Sequence, residues 1–578
     1  MHALSIVPAI VFFLIYVIRD RISLFIMILL LILFGINIYR YIKKKDLLQF
    51  LIILSLVGSF FLYDIYKLGN TKVPQTFTDL TEDQSVTLFN FSKPQQIDKI
   101  CYFIGINENV NFVLEYQDKN TWKKFYSYDE KNFPFSYRWK CAKSKIKTSK
   151  ILLRITKDAM MLNEVRFMHK DKIVEYTANR KNLNDEPEMA VDTSYHSSMF
   201  FDEIYHGRTA YEIINNRWIY ENTHPYLGKI LIGLGIKAFG MTPFGWRIVN
   251  VLFAGLMIYI AYLFAIKLFK EEIYGYSAAF LMTYSFMHLT QSRFAHIDTF
   301  GVLFVFISYL FLYLFIIKQH LRLLIYSAIF FGLASAVKWS AVFASFGFVA
   351  ISIYLLISKY PLQKRFEGYK LLLYGILSYA LISVIVYALT FYDIYLRTGS
   401  FQEIINYNLN MFDYHSAIDA THAYSSQWWS WMLDMKPMCY YRNYENTLVS
   451  SITVFGNPAI FWMGLISIFY LIIKVIRKFS LEPTFILLAF LSLYLPYIFV
   501  DRLMFIYHFY YALPFMILAI VYMLKDIVER FEFYRNIYFV YFVIVASLFL
   551  LFYPVLSGYA IEKTYIDTWL KWSSAWWL

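Results

Sequence analysis

Apolar segments about as long as a membrane-spanning helix alternate with polar segments along most of the chain. The apolar windows lie near residues 4–19, 22–42, 47–67, 244–266, 273–291, 298–317, 322–337, 340–358, 371–392, 454–473, 482–500, 505–524 and 537–557. This pattern predicts a polytopic α-helical membrane protein with about thirteen spanning helices. The first window lacks the charged and small-residue flanks of a signal peptide, so we expect a retained helix.

Residues 71–192 follow a different pattern. Short runs rich in Ile, Val, Tyr and Phe, such as DKICYFIGI, VNFVLEYQ and KILLRIT, are separated by polar turns. This alternation is typical of an all-β domain, and we predict an inserted β-sandwich. Such a domain is as compatible with a structural spacer as with a ligand-binding module, because a fold alone does not imply a site.

Composition supports the membrane class, since 59% of the residues are hydrophobic and only 16% are charged. Basic residues cluster at alternate ends of the predicted spans, at Arg40/Lys43/Lys44/Lys45, Lys267/Lys270, Lys318/Arg322, Lys359/Lys364/Arg365/Lys370, Lys474/Arg477/Lys478 and Lys525/Arg530/Arg535. The positive-inside rule makes these ends cytoplasmic. Loops facing anionic lipid explain much of the net charge of +13, so no nucleic-acid partner is implied.

This orientation places residues 68–243, the turn 293–298, the loop 393–453 and the tail after 557 on the opposite, extracytoplasmic face. We therefore expect a multi-pass protein of the cell (inner) membrane with its polar constellations and its β-domain outside. A transporter would carry more polar residues at the bilayer midplane, so transport is the weaker hypothesis.

The three cysteines leave one question open. Cys101 and Cys141 both lie in the predicted β-domain and would pair if this domain faced an oxidising space. Two unlinked thiols are an equally good interpretation of the same sequence.

The most informative polar stretch is FFDEIYHGRTAYEI (200–213), followed by ENTHPYLGK (221–229). If residues 200–215 form a helix, Asp202 and His206 share one face and Glu203 projects about 100° away. A solvated surface helix would explain an isolated Asp-Glu pair. The nearby Arg208, together with His224 and Lys229 in the next loop, favours a functional site instead.

These stretches resemble the protein O-mannosyltransferases, which are membrane glycosyltransferases of the C-type superfamily. The resemblance begins with FDEIYHGRTAYE and HPYLGK, where the usual motif is HPPLGK, and spans about residues 200–578. It continues through PFGWRI, QSRFAHIDTF, GLASAVKWSA, YHSAIDATHAYSSQWWSW, FGNPAIFW and RLMFIYHFYYALPF in the order of the family. The absence of MIR-type domains and the β-domain ahead of the acidic motif indicate a prokaryotic relative. The β-domain weakly resembles a galactose-binding or discoidin-type jelly roll.

The resemblance implies a polyprenyl-phosphate sugar as donor. Its phosphate leaves without protonation, so the site needs no general acid. The attacking acceptor hydroxyl does need a base to take its proton. We assign the base to Asp202, with Glu203 orienting or binding beside it. We expect no cofactor and no metal, because His415 and His422 lack a third ligand with matching spacing.

Cations should surround the departing phosphate. The candidates for binding the phosphate or the sugar are Lys229, Arg293, Asp298, Arg502 and His508. Further possible site residues are His206, Arg208, His224, Lys338, Trp428 and Trp429. These candidates also have structural alternatives. Cations near helix ends reach lipid headgroups, and Trp residues gather at membrane interfaces. Asp298 could form a purely structural ion pair with Arg293.

We therefore expect transfer of a hexose, with mannose as the expected sugar, to protein Ser or Thr hydroxyls with inversion. A lipid or glycan acceptor on the same fold is the first alternative, and a non-enzymatic transporter or lipid-binding scaffold is the second. The expected parts are N-terminal spans (1–70), the β-domain (71–192), a catalytic loop and membrane core (193–392), a Trp-rich outer loop (393–453) and C-terminal spans with a tail (454–578). The Asn457-Pro458 pair should cap the helix that starts there.

Overall fold

The computed structural model describes residues 47–82, 86–129, 136–358, 368–417, 421–531 and 535–578. The predicted spans near 4–19 and 22–42 lie outside these ranges. The chain divides into two compact units. One contains the residues up to Tyr66 together with Ile213–Leu234 and Ile248–Leu578, and the other contains Lys67–Glu212 and Gly235–Arg247.

The first unit is helical. Its helices, with those that run across a unit boundary, are α1 (Leu47–Ile65), α2 (Glu203–Ile214), α3 (Leu227–Phe239), α4 (Pro243–Phe269), α5 (Glu272–Thr283), α6 (Phe286–Ser292), α7 (Asp298–Lys318), α8 (Leu321–Ser335), α9 (Ala344–Ile357), α10 (Gly368–Leu377), α11 (Ser383–Leu389), α12 (Tyr392–Thr398), α13 (Phe401–Ala417), α14 (Pro458–Arg477), α15 (Leu481–Tyr494), α16 (Leu513–Arg530) and α17 (Arg535–Ser557). Short 3₁₀ turns cover Trp339–Phe343, Trp428–Ser430, Leu495–Phe499 and Ile506–Tyr511.

Six helices of the described chain are long and apolar enough to cross a membrane: Pro243–Phe269, Asp298–Lys318, Trp339–Ile357, Pro458–Arg477, Leu481–Phe499 and Asn536–Ser557. A bent pair, Leu373–Leu389 with Tyr392–Thr398, would make a seventh. The polytopic membrane class is confirmed, while the count of about thirteen spans stays a prediction.

Two predicted spans are interrupted. The window at 273–291 breaks at Tyr284, and the Ser285 side chain caps the following helix α6 by accepting the His288 amide. The window at 505–524 opens as the 3₁₀ turn Ile506–Tyr511 before α16 begins. An apolar run alone does not reveal such breaks, because hydrophobicity is the same on both sides of them. The Asn457 cap of α14 is confirmed, since its side chain accepts the Ala459 amide at 3.1 Å.

The second unit contains a β-sheet domain. Its strands are β1 (Thr78–Thr81), β2 (Val86–Asp118), β3 (Thr121–Asp129), β4 (Arg138–His169), β5 (Lys172–Val174) and β6 (Thr177–Ala178). The long strands β2 and β4 pair antiparallel in several registers, so that Ile100 faces both Ala142 and Phe167. The predicted β-rich segment is confirmed, and its assignment as a two-layer sandwich remains a prediction.

The β-domain has a core of its own. Phe89, Phe91, Phe167 and Tyr176 pack mainly edge to face, which is a favourable arrangement for aromatic rings. The structure also answers the open cysteine question, because Cys101 and Cys141 are register partners on β2 and β4 and form a disulfide. The bridge joins residues 40 positions apart.

A second, small sheet lies in the helical unit. It contains β7 (Met438–Glu445), β8 (Leu448–Val454) and β9 (Ile561–Glu562), with β8 in the middle. The chain after α17 continues to the carboxy terminus, where Trp576 donates its indole N–H to the Asp434 carbonyl at 2.9 Å. The predicted Trp-rich outer loop and the C-terminal tail are therefore in direct contact.

Candidate active site

The acidic motif lies at the start of α2. Asp202 immediately precedes the helix, and its carbonyl accepts the amides of Tyr205 and His206 at 3.0 and 2.9 Å. The i,i+4 relation between Asp202 and His206 is therefore present, as predicted for residues 200–215. Asp202 is half-buried, whereas His206 is buried. The amino end of a helix favours negative charge, so this is a suitable position for a carboxylate.

Glu203 forms a buried ion pair with Arg247. Both of its oxygens bind the Arg247 guanidinium at 2.7 Å, and both side chains are fully buried. Arg247 also donates to the carbonyls of Leu68, Tyr195 and Ser198. This ion pair holds the start of α2 against α4, and the place of Glu203 among the catalytic residues stays a prediction.

Arg208 is likewise structural in this geometry. Its Nε donates to Glu212 one helical turn later at 2.7 Å, and its Nη1 donates to the Asn107 carbonyl of β2 at 3.0 Å. The guanidinium is buried, so it ties α2 to the β-domain within one unit. The structure thus gives Arg208 a position that the sequence motif did not indicate.

The HPYLGK loop belongs to the other unit. The Lys229 ammonium is fully buried, forms an ion pair with Glu221, and donates to the carbonyls of Glu221 and His224 and to the Tyr407 hydroxyl at 2.9–3.0 Å. An ammonium has three hydrogens, and these oxygens engage them. These contacts hold the HPYLGK loop together, and the phosphate contact of Lys229 stays a prediction.

His224 lies at the surface of this loop. Its Nδ1 is 3.1 Å from Glu221, and its ring meets that of His415 edge to face at 5.4 Å. Tyr226, which replaces the usual proline of the motif, donates its hydroxyl to Asp393 at 2.7 Å. A buried hydrogen bond to α12 therefore accommodates the tyrosine that stands in place of the usual proline.

Asp298 and Lys338 form the centre of the helical unit's charge cluster. Their side chains make an ion pair at 2.8 Å at the start of two spanning helices, and both are buried. Lys338 also lies 5.3 Å from the centre of the Tyr507 ring, and His296 lies 3.5 Å from Asp298. The alternative pairing of Asp298 with Arg293 was wrong.

Arg293 contacts the chain at the ends of α1 and α17. It lies beside Asp64 and donates to the carbonyls of Tyr63, Tyr66 and Ser557 at 3.1–3.2 Å. Buried carbonyls at helix ends need donors, and Arg293 supplies them. These contacts join α1 to the end of α17, and the role of Arg293 in binding the donor phosphate stays a prediction.

Arg502 makes a specific contact with His415. Its Nη1 lies 2.7 Å from His415 Nδ1, while His415 Nε2 lies 2.8 Å from the Thr223 carbonyl. A guanidinium only donates and a carbonyl only accepts, so His415 must be neutral with its proton on Nε2. Burial and the charge of Arg502 lower the pKa of His415 to about 4, which agrees with this tautomer.

His415 contacts Arg502 of the candidate site, although it is not among the site residues predicted from the sequence. It had been considered only as a metal ligand, together with His422. The signal was its place at the head of the segment YHSAIDATHAYSSQWWSW, which resembles the family, on the last turn of α13.

His508 completes the cluster from the turn Ile506–Tyr511. Lys338, Arg502 and Asp298 all act on it electrostatically, and its ring stacks on Trp431 at 6.0 Å. The turn can approach α7 closely because Gly301 leaves room for the Tyr511 hydroxyl, which would lie 2.1 Å from an added Cβ. The predicted donor-site residues Asp298, Lys338, Arg502 and His508 therefore lie together.

The two predicted tryptophans differ. Trp428 packs edge to face on Tyr494 at 5.4 Å and accepts that hydroxyl through its carbonyl, so it is part of the packing. Trp429 is half exposed and available for a ligand. Trp431 is fully buried beneath His508.

This charge cluster suits a monoanion. Lys338 and Arg502 contribute two positive charges, Asp298 contributes one negative charge, and His415 is neutral. Among these described side chains the surplus is therefore one positive charge in a largely buried setting, where such a charge acts more strongly than in water. A sugar phosphodiester carries one negative charge and would match it.

Carboxylates that could hold a cation occur in the β-domain. Oxygens of Glu164, Asp185 and Glu186 lie within 4.8 Å of one another. Glu164 pairs with Arg166, and Glu186 accepts the amides of Gln75 and Thr76. These acids therefore already serve protein donors, and burial raises the pKa of Glu164 to about 7.

Two family models match the chain in succession. Dolichyl-phosphate-mannose-protein mannosyltransferase matches residues 223–388, and the C-terminal four-transmembrane region of protein O-mannosyltransferase matches residues 400–576. Both matches lie after the β-domain. Together they cover most of the helical unit.

Curated relatives and a solved structure agree. A polyprenol-phosphate-mannose–protein mannosyltransferase of Corynebacterium glutamicum is 23% identical over 61% of this chain and 81% of its own length. The protein of that name from Mycobacterium tuberculosis is 21% identical over 64% of this chain and 84% of its own length. The yeast Pmt1–Pmt2 complex bound to the sugar donor matches with a TM-score of 0.58 at 13% identity, over 65% of this chain and 88% of that one.

The fold and the order of its motifs thus define a membrane glycosyltransferase. The chain belongs to the protein O-mannosyltransferase family, as its sequence motifs predicted.

Proposed function

We propose that this protein transfers mannose from a polyprenyl phosphate to Ser or Thr hydroxyls of proteins. The names of its relatives support this donor and this acceptor class. The observation that carries the proposal is the charge cluster of Asp298, Lys338, Arg502 and His508, at the ends of spanning helices where a lipid-borne phosphate would lie.

In this proposal Arg502 and Lys338 bind the phosphate. Negative charge grows on the bridging oxygen as the bond to the sugar breaks, and fixed cations stabilise that charge without reorganising. His415 keeps Arg502 in place, while Asp298 does the same for Lys338. Because the leaving phosphate needs no protonation at neutral pH, no general acid is required.

Asp202 is the proposed base. It accepts the proton of the attacking hydroxyl as oxygen bonds to the anomeric carbon, a role typically worth about 10²- to 10⁴-fold in rate. Its half-buried side chain leaves it able to meet a substrate, unlike that of Glu203. A single displacement inverts the anomeric carbon, in contrast to the paired carboxylates of retaining glycosidases.

We further propose that the site and the β-domain face the extracytoplasmic side of the cell membrane. The positively charged loops support this orientation, and so does the disulfide between Cys101 and Cys141, which requires an oxidising space. We also propose that the chain has about thirteen spanning helices. Residues 71–192 form a β-sandwich that takes part in the choice of acceptor. Catalysis needs no metal and no cofactor.

Comparing the envelope proteins of cells with and without this gene product by mass spectrometry tests the proposal. We expect hexose on Ser or Thr residues that disappears in the knockout. Hexose lost from lipids while every protein glycoform persists would contradict it and favour a lipid acceptor.

A further inference from the structure

Helix α13 carries an exposed apolar stripe formed by Phe401, Ile405, Leu409 and Phe412. Each of these side chains is at least half exposed. Spacings of four, four and three residues place them on one face of the helix. No part of the described chain covers this stripe.

The other two faces of α13 differ, since one is exposed and polar and the other is buried against the protein. Gln402, Glu403, Asn410 and Asp413 form an exposed polar face beside the stripe. On the third face, Tyr407 and Met411 are buried. A helix with separate apolar and polar exposed faces is typical of one that lies in the plane of a membrane interface.

The apolar stripe continues the exposed surface of the preceding span. Leu381 and Val384 on the bent span are more than half exposed, and the surface passes through Leu396 on α12. Tyr395 then stacks on Phe401 with ring centres 4.3 Å apart. The chain bends by 43° between the span and α12, as expected where a helix leaves the bilayer and turns along its surface.

We propose that α13 is a membrane-interface helix, and that its stripe inserts into the boundary between lipid headgroups and acyl chains. The occupant of the stripe is therefore a lipid surface. This inference is independent of the proposed reaction, because it rests only on exposure and on continuity with the span.

The opposite face of α13 reaches the candidate site. Its Tyr407 accepts Lys229, and its His415 accepts Arg502. Lipid contact on one face of the helix therefore sets the depth of both cations relative to the bilayer.

Spin labels on single cysteines test the insertion in the full chain reconstituted in phospholipid nanodiscs. Cys439→Ser provides the background, because Cys101 and Cys141 are bonded to each other. Leu409→Cys and Ile405→Cys report on the stripe, with Asn410→Cys and Asp413→Cys as matched controls on the polar face. Power saturation compares collisions with oxygen, which concentrates in lipid, and with a water-soluble nickel chelate.

We expect labels at 405 and 409 to favour oxygen over nickel several-fold and labels at 410 and 413 to show the reverse. Equal nickel access at 409 and 410 would place the stripe in water and overturn the proposal. Low access to both reagents at 405 and 409 would also overturn it, because protein, such as a second copy of the chain, would then cover the stripe.

Discussion

Arg502 Nη1 lies 2.7 Å from His415 Nδ1, an arrangement that a protonated histidine could not accept. His415 Nε2 donates in turn to the Thr223 carbonyl. This chain of contacts links three separate segments of the helical unit and fixes one face of the guanidinium. A neutral imidazole thereby orients the guanidinium, and no carboxylate of the described residues forms an ion pair with it.

Removing the guanidinium should weaken donor use. We expect Arg502→Ala to lower kcat/KM for polyprenyl-phosphate mannose about 10- to 100-fold, since a hydrogen bond to a charged group is worth about 1.5–3 kcal/mol. Arg477→Ala, at an exposed helix end, is the matched control and should behave as wild type. Steady-state assays with graded donor concentrations measure both, and equal kcat/KM for the two variants would rule out a phosphate role for Arg502.

Two substitutions of His415 separate the effect of its hydrogen bonds from the effect of its ring shape. His415→Gln keeps an acceptor for Arg502 and a donor for Thr223, so it should retain most of the donor affinity. His415→Phe keeps the ring and loses both hydrogen bonds, so its donor KM should rise about tenfold. If the two variants were equally impaired in donor KM, His415 would be a packing residue only.

The pKa of His415 also predicts a pH dependence. The folded value is about 4 and the ordinary value is 6.5, so below pH 6.5 the unfolded chain binds a proton that the folded chain excludes. This contribution to stability is fully present above about pH 6.5 and is lost as the pH falls towards 4. His415→Gln should therefore show a smaller decrease in Tm between pH 7.5 and 5 than wild type, and parallel decreases would contradict the assignment.

The buried Glu203–Arg247 pair should matter for stability rather than chemistry. Glu203→Gln leaves the Arg247 charge uncompensated, and breaking such a pair costs about 3–5 kcal/mol. Thermal unfolding should show a clear drop in Tm relative to Glu188→Gln, an exposed control in the same unit. An unchanged Tm with abolished turnover would restore the catalytic interpretation of Glu203.

Metal removal gives a further test. We expect mannose transfer by the purified protein to continue at an undiminished rate after dialysis against EDTA, because the proposed charge stabilisation uses Lys338 and Arg502. A loss of activity that Mg²⁺ or Mn²⁺ restores would refute a metal-independent mechanism.

Much of the fold was predictable because hydrophobic runs report spans directly. The β-rich segment was equally visible, and Asp298, Lys338, Arg502 and His508 were all selected before their proximity was known. Their pairing was not predictable, since Asp298 and Lys338 are 40 residues apart and either could have paired elsewhere. The buried protein partners of Glu203, Arg293 and Lys229 were not predictable either, because the sequence shows a charge but neither its burial nor its partner.

A substitution of Asp202 separates its proposed role as the base from any role in donor binding. Asp202→Asn should lower kcat at least about 100-fold while leaving the dissociation constant of the donor within about twofold, because the amide cannot take the proton. Asp171→Asn, exposed in the β-domain, serves as its control. Donor binding by fluorescence and turnover by radiolabel transfer measure the two quantities separately, and retention of most turnover would exclude Asp202 as the base.

Transfer of mannose to protein can be measured with the purified protein in nanodiscs, polyprenyl-phosphate mannose labelled in the sugar, and a Ser/Thr-containing peptide. Tandem mass spectrometry of the peptide should locate one hexose on a Ser or Thr side chain, with wild type active and Asp202→Asn inactive. A donor that stays intact, or a labelled sugar that reaches lipid and never peptide, would contradict the account.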